Sequence, residues 1–359
     1  KIFSFPNSIN PPPATLQDAI NYVIGLLPEL GEAAIEFPNT QTYVDAGNSP
    51  LVIHLPQGTT LEIRAAEQTR TTLLLNAGII VSGDSTSTLS LNGLVIAMNQ
   101  NAATPSPSGV GLLQVPDLAP DGSANLLGNL NLTHCTVVPG GALGSHGDPI
   151  SAAPDLVANA AGLQVTVKKS ILGAIRADKF VTFSASDSII DATSRENLAY
   201  AAPDESSGGG ALTLTGCTVI GRVHATLFSL ISNCIVWAET SQAGSPSDPQ
   251  AAALLTDRRQ EGCVRFSYLP ANAVVPRQFQ CVFEGQDFDE PLFYSLQYGQ
   301  PAYCKLFPST PDTVRRGADD GGEMGAFHFL NAPMRETDLL TRLQEYLPAG
   351  LESGIFYET

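Results

Sequence analysis

The most constraining feature of the chain is a short phrase stated twice in succession. Within Leu212 to Glu239, Leu214-Thr-Gly-Cys217-Thr-Val-Ile220 is followed by Ile231-Ser-Asn-Cys234-Ile-Val-Trp237, and the two cysteines stand 17 residues apart. Each copy alternates apolar with polar residues, meets a turn-forming Gly216 or Asn233, and resumes with Cys and an apolar pair. Alternation of period two turns one set of side chains inward. Such a run, turned and begun again at a fixed interval, describes one coil of a solenoid. A single coil cannot bury its apolar face, so coils must stack and the ends need covering.

The same phrase recurs from Leu91 to Leu94, Leu132 to Cys135, Val167 to Ser170 and Ala185 to Ser188, giving successive intervals of 41, 35, 18, 29 and 17. Intervals of 18 and 17 read as single coils, 41 and 35 as two coils each, and 29 as one coil with an insertion. Polar or Gly-, Ala- and Pro-rich insertions are expected near 99–121, 140–162 and 194–210. Gly173-Ala-Ile175-Arg176-Ala177 also aligns with Gly221-Arg222-Val223-His224-Ala225. Ile175 and Val223 are then expected on one face, with Arg176 and His224 stacked on the opposite one, on rungs about 4.8 Å apart.

The ends carry helical patterns. Leu16, Ala19, Ile20, Val23, Leu26, Leu27 and Leu30 form one apolar stripe with Thr15 and Asp18 in capping-box positions, a suitable lid for the first coil, with Pro28 expected to end or bend the last turn. Leu339, Leu340, Leu343 and Leu347 predict a second amphipathic helix, ended by Pro348 and Gly350 and expected to cover the last rung. The expected organisation is a lead and capping helix over 1–31, coils over 32–256, and a C-terminal module of coils and cap over 257–359.

Composition removes several function classes. With 35 Asp plus Glu against 18 Lys plus Arg, the formal charge of -17 repels phosphate backbones, so no nucleic-acid partner is expected. No apolar run reaches the roughly 20 residues of a spanning helix, so no membrane insertion is expected. Lys1 is not an initiator Met, which reads as a chain processed, trimmed or built from an internal start. The six cysteines form no CxxC pair, which argues against a zinc ribbon; Cys135, Cys217 and Cys234 read as small packed hydrophobes, and any disulfide is placed among Cys263, Cys281 and Cys304.

Thr15-Leu-Gln-Asp-Ala-Ile20, then Ala34 to Gly47, His54 to Ala65 and Leu89 to Ile96, resemble the opening of right-handed parallel β-helix proteins of the pectate-lyase-like superfamily. Tyr294 to Phe329, with Pro311, Gly317, Ala318, Gly325, Ala326 and Phe327, resembles the closing segment of bacterial β-helix proteins. Arg258 to Pro270 and Arg335 to Thr359 resemble the C-terminal region of uncharacterised bacterial β-helix proteins from phage-tail-like gene neighbourhoods. The fold expected is therefore all-β: a right-handed parallel β-helix with an N-terminal capping helix and a small α+β C-terminal cap.

The resemblance implies two kinds of activity to look for. Lyases of this superfamily need a basic proton acceptor and a cation or basic groups to neutralise a uronate carboxylate. The candidate catalytic strip is Arg176, Lys179, Arg222 and His224, with Asp178 beside it. Hydrolases need clustered aspartates, and no adjacent aspartates stand on a repeat rung; Asp287, Asp289 and Glu290 read as solvated turns. Asp319, Asp320 and Glu323 are the candidate oxygen ligands for calcium, without the spaced ladder of a calcium loop. His328, between Phe327 and Phe329, reads as a packed imidazole.

The first functional expectation is a non-enzymatic structural or surface protein without a cofactor, a homo-oligomer or a presenter of loops to a partner. The alternative is a polysaccharide lyase or hydrolase acting on acidic polysaccharide.

Overall fold

The computed structural model describes residues 1–6, 13–45, 47, 49–100, 111–151, 153–240, 252–285 and 290–354. Among these residues the strands form three sheets of eleven, nine and ten members, designated faces A, C and B. The chain visits A, B and C once per coil. Gln164–Lys168 on face A leads to Ile171–Leu172 on B and Ile175–Ala177 on C, and Thr182–Ser186 then returns to A beside its predecessor. Pairing is parallel from rung to rung, which makes the chain a parallel β-helix.

Registry explains the apolar alternation. Ile35, Ile63, Leu91, Leu132, Val167, Ala185, Leu214, Ile231 and Val264 stack as one interior column of face A, and all are buried. Fully burying an aliphatic side chain stabilises by about 1.5–3 kcal/mol, so a column of this length is a major source of cohesion. A one-residue slip would turn the whole column to solvent.

The repeated turn residue has a conformational cause. Gly93, His134, Lys169, Asp187, Gly216, Asn233, Phe266 and Gln280 all have φ between 47° and 70°, so in these eight coils the corner from face A to face B is made by one left-handed residue. Glycine and asparagine tolerate that region best, which is why Gly216 and Asn233 mark the phrase. The next residue points inward as a ladder. Cys135 N–H donates to Ser170 Oγ at 3.0 Å, Ser170 N–H to Ser188 Oγ at 3.1 Å, and Cys234 N–H to Ser267 Oγ at 3.1 Å. All six cysteines are free, Cys263, Cys281 and Cys304 included.

Two spacing expectations are corrected. Leu91 pairs directly with Leu132, and Leu132 with Val167. The long intervals are therefore single coils enlarged by loops. Each presumed insertion also supplies its own strand to face C, namely Leu113–Val115, Leu156–Ala158 and Leu198–Ala201. Strands of three or four residues are too short to display a period. The insertion near 99–121 lies partly outside the described residues.

Helix α1, Leu16–Leu30, closes the N-terminal end. Thr15 Oγ1 accepts from Asp18 N–H at 3.1 Å and the Asp18 carboxylate accepts from Thr15 N–H at 3.0 Å, completing the capping box. The helix continues through Pro28 to Leu30, and Leu16, Ala19, Ile20, Val23 and Leu27 are buried. No helix among the described residues is long and apolar enough to cross a membrane.

The C-terminal segment runs along the outside of face B. Ile189 and Ile220 pack with Tyr303, Cys304 and Ala326, while Ile235 and Tyr268 pack with Leu306, Val314 and Met324. Short helix α2, Asp312–Arg315, lies in this segment. Helix α3, Ala332–Tyr346, starts earlier than the leucine spacing suggests and leaves Leu347 outside. Pro333 is its only buried residue, and Arg315 is ion-paired to Glu336. It does not seal the last rung, whose strand Arg277–Phe279 is exposed throughout.

Candidate functional site

The basic residues expected to form one strip are separated by structural roles. On the outer column of face C, Arg176 pairs with Ala201, and the inner neighbour Tyr200 pairs with Val223. Ala201 thus stands between Arg176 and His224, which are two rungs apart, at about twice the 4.8 Å strand spacing. The intervening strand comes from the stretch read as an insertion.

Arg176 is buried rather than open to a groove. Its Nη1 donates to the carbonyls of Ile175 and Leu198, both at 3.0 Å, and its Nη2 lies 2.9 Å from the Glu205 carboxylate. Arg222 Nε donates to the Glu196 carbonyl at 2.7 Å, and His224 Nε2 lies 2.9 Å from Asp257 Oδ1. Three of the four residues thus hold the 194–210 loop or the following rung. Lys179 is exposed, over the Phe180 ring, and Asp178 accepts from Phe180 N–H at 2.9 Å.

The structure brings together two aspartates that no repeat spacing displays. Asp155 and Asp191 are both buried and close enough to interact electrostatically. Burial pushes the Asp155 carboxyl well above the usual carboxylate range; the Gly173 N–H, donating at 2.6 Å, opposes this, and the Asp191 charge adds to it. Burial also raises Asp191, opposed by hydrogen bonds from Tyr303 Oη–H and Thr193 N–H. Asp191 borders a cleft of about 280 Å³ between Leu143 to Pro149 and Leu296 to Tyr298. One of its oxygens is taken by Thr193 and the other by Tyr303. Asp191 therefore anchors the C-terminal segment through Tyr303, while Asp155 holds the Gly173 turn.

A pH dependence follows. Because the folded pKa of Asp155 is raised above its ordinary 3.8, the stability it contributes is fully present below that value and is lost as pH rises through the folded value. Asp155→Asn retains an acceptor for Gly173 N–H. It is expected to flatten the fall in melting temperature between acidic and mildly alkaline pH, and to leave the variant more stable than the parent at the alkaline end. Thermal unfolding at several pH values reads this directly, and parallel curves for the two proteins would contradict it.

The acidic loop is rearranged relative to the expected calcium ligands. Asp319, Asp320 and His328 each offer a ligand atom, and these atoms lie within 4.8 Å of one another. Glu323 is not in this group. It is buried, and burial pushes its carboxyl up to about 7 against the opposing charges of Lys305 and Arg315. The loop is fastened to the A-to-B corner: Asn233 Nδ2 donates to Asp319 Oδ1 at 2.7 Å, Asp319 N–H returns to Asn233 Oδ1 at 3.1 Å, and Gly325 N–H donates to the Asn233 carbonyl at 2.8 Å. Asn233 belongs to the repeated phrase, but its reach to Asp319 spans 86 residues and leaves no local signal. Asp287 and Asp289 lie outside the described residues.

No family model, no curated protein and no solved structure matches the chain.

Proposed function

We propose that the chain is a non-enzymatic structural β-helix protein that pairs with a second copy through the last rung of its solenoid. The observation that carries this reading is the difference between the two ends. At the first end α1 buries its apolar stripe. At the other, every residue of Arg277–Phe279 is exposed and, among the described residues, the strand pairs on one side only, with Cys263–Arg265.

The backbone geometry gives the open edge a direction. The Phe279 carbonyl accepts from Phe266 N–H at 3.0 Å, toward the preceding rung. Successive residues of a parallel strand alternate the side to which they bond, so the N–H and carbonyl of Gln278 point off the end. An open edge of this kind templates another strand. A two-fold axis at Gln278 runs the two edge strands antiparallel, places each Arg277 opposite the other copy's Phe279, and sets Ala273–Val274 against Val282–Phe283. Arg277 over Phe279 is a favourable cation–π pair, and such an isologous contact closes at two copies.

The alternative, cleavage of acidic polysaccharide at a pectate-lyase-like site, requires basic groups that share one accessible groove. Arg176, Arg222 and His224 are instead engaged with Glu205, Glu196 and Asp257, which favours the structural reading. Light scattering over a dilution series tests it. Reversible association is expected, stronger at higher salt because two copies of charge -17 repel less when screened. A strict monomer at every concentration, or release of unsaturated product from a uronate polymer, would overturn it.

A further inference from the structure

We propose that Asp319, Asp320 and His328 bind a divalent first-row transition ion, a site independent of the assembly reading. The ligand atoms lie within 4.8 Å of one another, and the imidazole is the informative member. His328 Nδ1 lies 2.9 Å from the Glu323 carbonyl oxygen. A carbonyl can only accept, so Nδ1 carries the donated proton and Nε2 is the nitrogen turned toward the carboxylates. That nitrogen faces Asp320 Oδ2 at 3.5 Å. The separation is longer than a good hydrogen bond, yet it suits two ligands that each lie about 2.0–2.1 Å from one metal at a tetrahedral angle.

The supporting contacts lie outside the ligand set and point the same way. Asp319 Oδ1 is held by Asn233 and Asp320 Oδ1 by Gly322 N–H at 2.8 Å, so each carboxylate keeps its Oδ2 for a ligand. Metal-bound histidines are ordinarily oriented by a second hydrogen bond of the kind His328 makes to Glu323. Arg265 is the competitor, with its guanidinium 3.9 Å from Asp319 Oδ2, but its side chain is 43% exposed and can turn to solvent as the ion enters.

The donor set selects the class of ion. Calcium takes six to eight oxygens, and the third oxygen ligand expected from the sequence, Glu323, is buried elsewhere. One imidazole nitrogen with two carboxylates suits zinc, cobalt or manganese, with water completing the shell. Only His328 distinguishes this site from a hard oxygen site, so it is the residue to test.

Cobalt(II) titration of the full chain, followed by calorimetry and by the visible d–d bands of the ion, decides the matter. One ion per chain is expected, with at least tenfold weaker binding in His328→Ala and in Asp320→Asn and no displacement by calcium in tenfold excess. Asp320→Asn keeps its shape and its acceptor for Gly322 N–H, so the test does not depend on the histidine variant folding; melting temperatures in chelator verify both. No cobalt binding, binding that both variants leave unchanged, or displacement by that excess of calcium would overturn the proposal.

Discussion

Phe183→Ala is expected to lower the unfolding free energy by about 3–5 kcal/mol, the range for deleting a buried aromatic ring. Phe183 is completely buried on face A, stacked between Val165 and Leu212 in its column, with the Tyr200 ring 5.7 Å away. No side chain within one rung can refill that space, because the neighbouring positions of the column belong to other coils. A solenoid transmits stability mainly through nearest-neighbour rungs, so the loss weakens the centre of the rod and both halves become easier to open. Ser184→Ala, one residue on and facing outward, is expected to change stability by less than about 0.5 kcal/mol. Denaturant midpoints for the pair measure the difference. Equal effects would mean that Phe183 does not sit in the interior.

The second large effect is assigned to Arg176→Ala, a loss of roughly 2–4 kcal/mol. Most of it comes from the Ile175 and Leu198 carbonyls, which lose a charged donor at 3.0 Å each; an unsatisfied buried acceptor costs about 1–3 kcal/mol. The ion pair adds little, because Glu205 is 57% exposed and water screens it. Glu205→Gln should therefore cost less than about 1 kcal/mol. This ordering separates a structural arginine from a catalytic one. A catalytic Arg176 would give a variant of parental stability with lost polysaccharide cleavage, whereas the clamp described here gives a destabilised variant.

The coil itself is legible in the sequence where nothing interrupts it. Leu214 and Ile231, 17 residues apart, are direct rung partners, and the turn that precedes each Cys is the left-handed corner at Gly216 and Asn233. The capping box at Thr15 is equally plain, because it is local chemistry. Face C is harder to read. Its strands at Leu113–Val115 and Leu156–Ala158 have three residues each and follow loops, so neither period nor spacing announces them. Leu198–Ala201 lies in the stretch that reads as an insertion, so spacing alone sets Arg176 beside His224 and misses Ala201. Contacts that depend on the C-terminal segment returning along face B, such as Tyr303 to Asp191 and Asn233 to Asp319, join residues 112 and 86 apart. His328 stands between Phe327 and Phe329, and nothing local announces that its nitrogens face the Glu323 carbonyl and Asp320.

In the proposed dimer, two copies join through the exposed last rung. Sedimentation equilibrium of the parent chain and of Gln278→Pro tests it most directly, since proline removes the N–H that points off the end and leaves the Phe279 bond to the preceding rung in place. The parent mass is expected to approach twice 37.7 kDa with rising concentration, and the Gln278→Pro variant to stay at the single-chain mass with its fold intact. A parent chain that never dimerises, or a dimer that the proline leaves untouched, would contradict it.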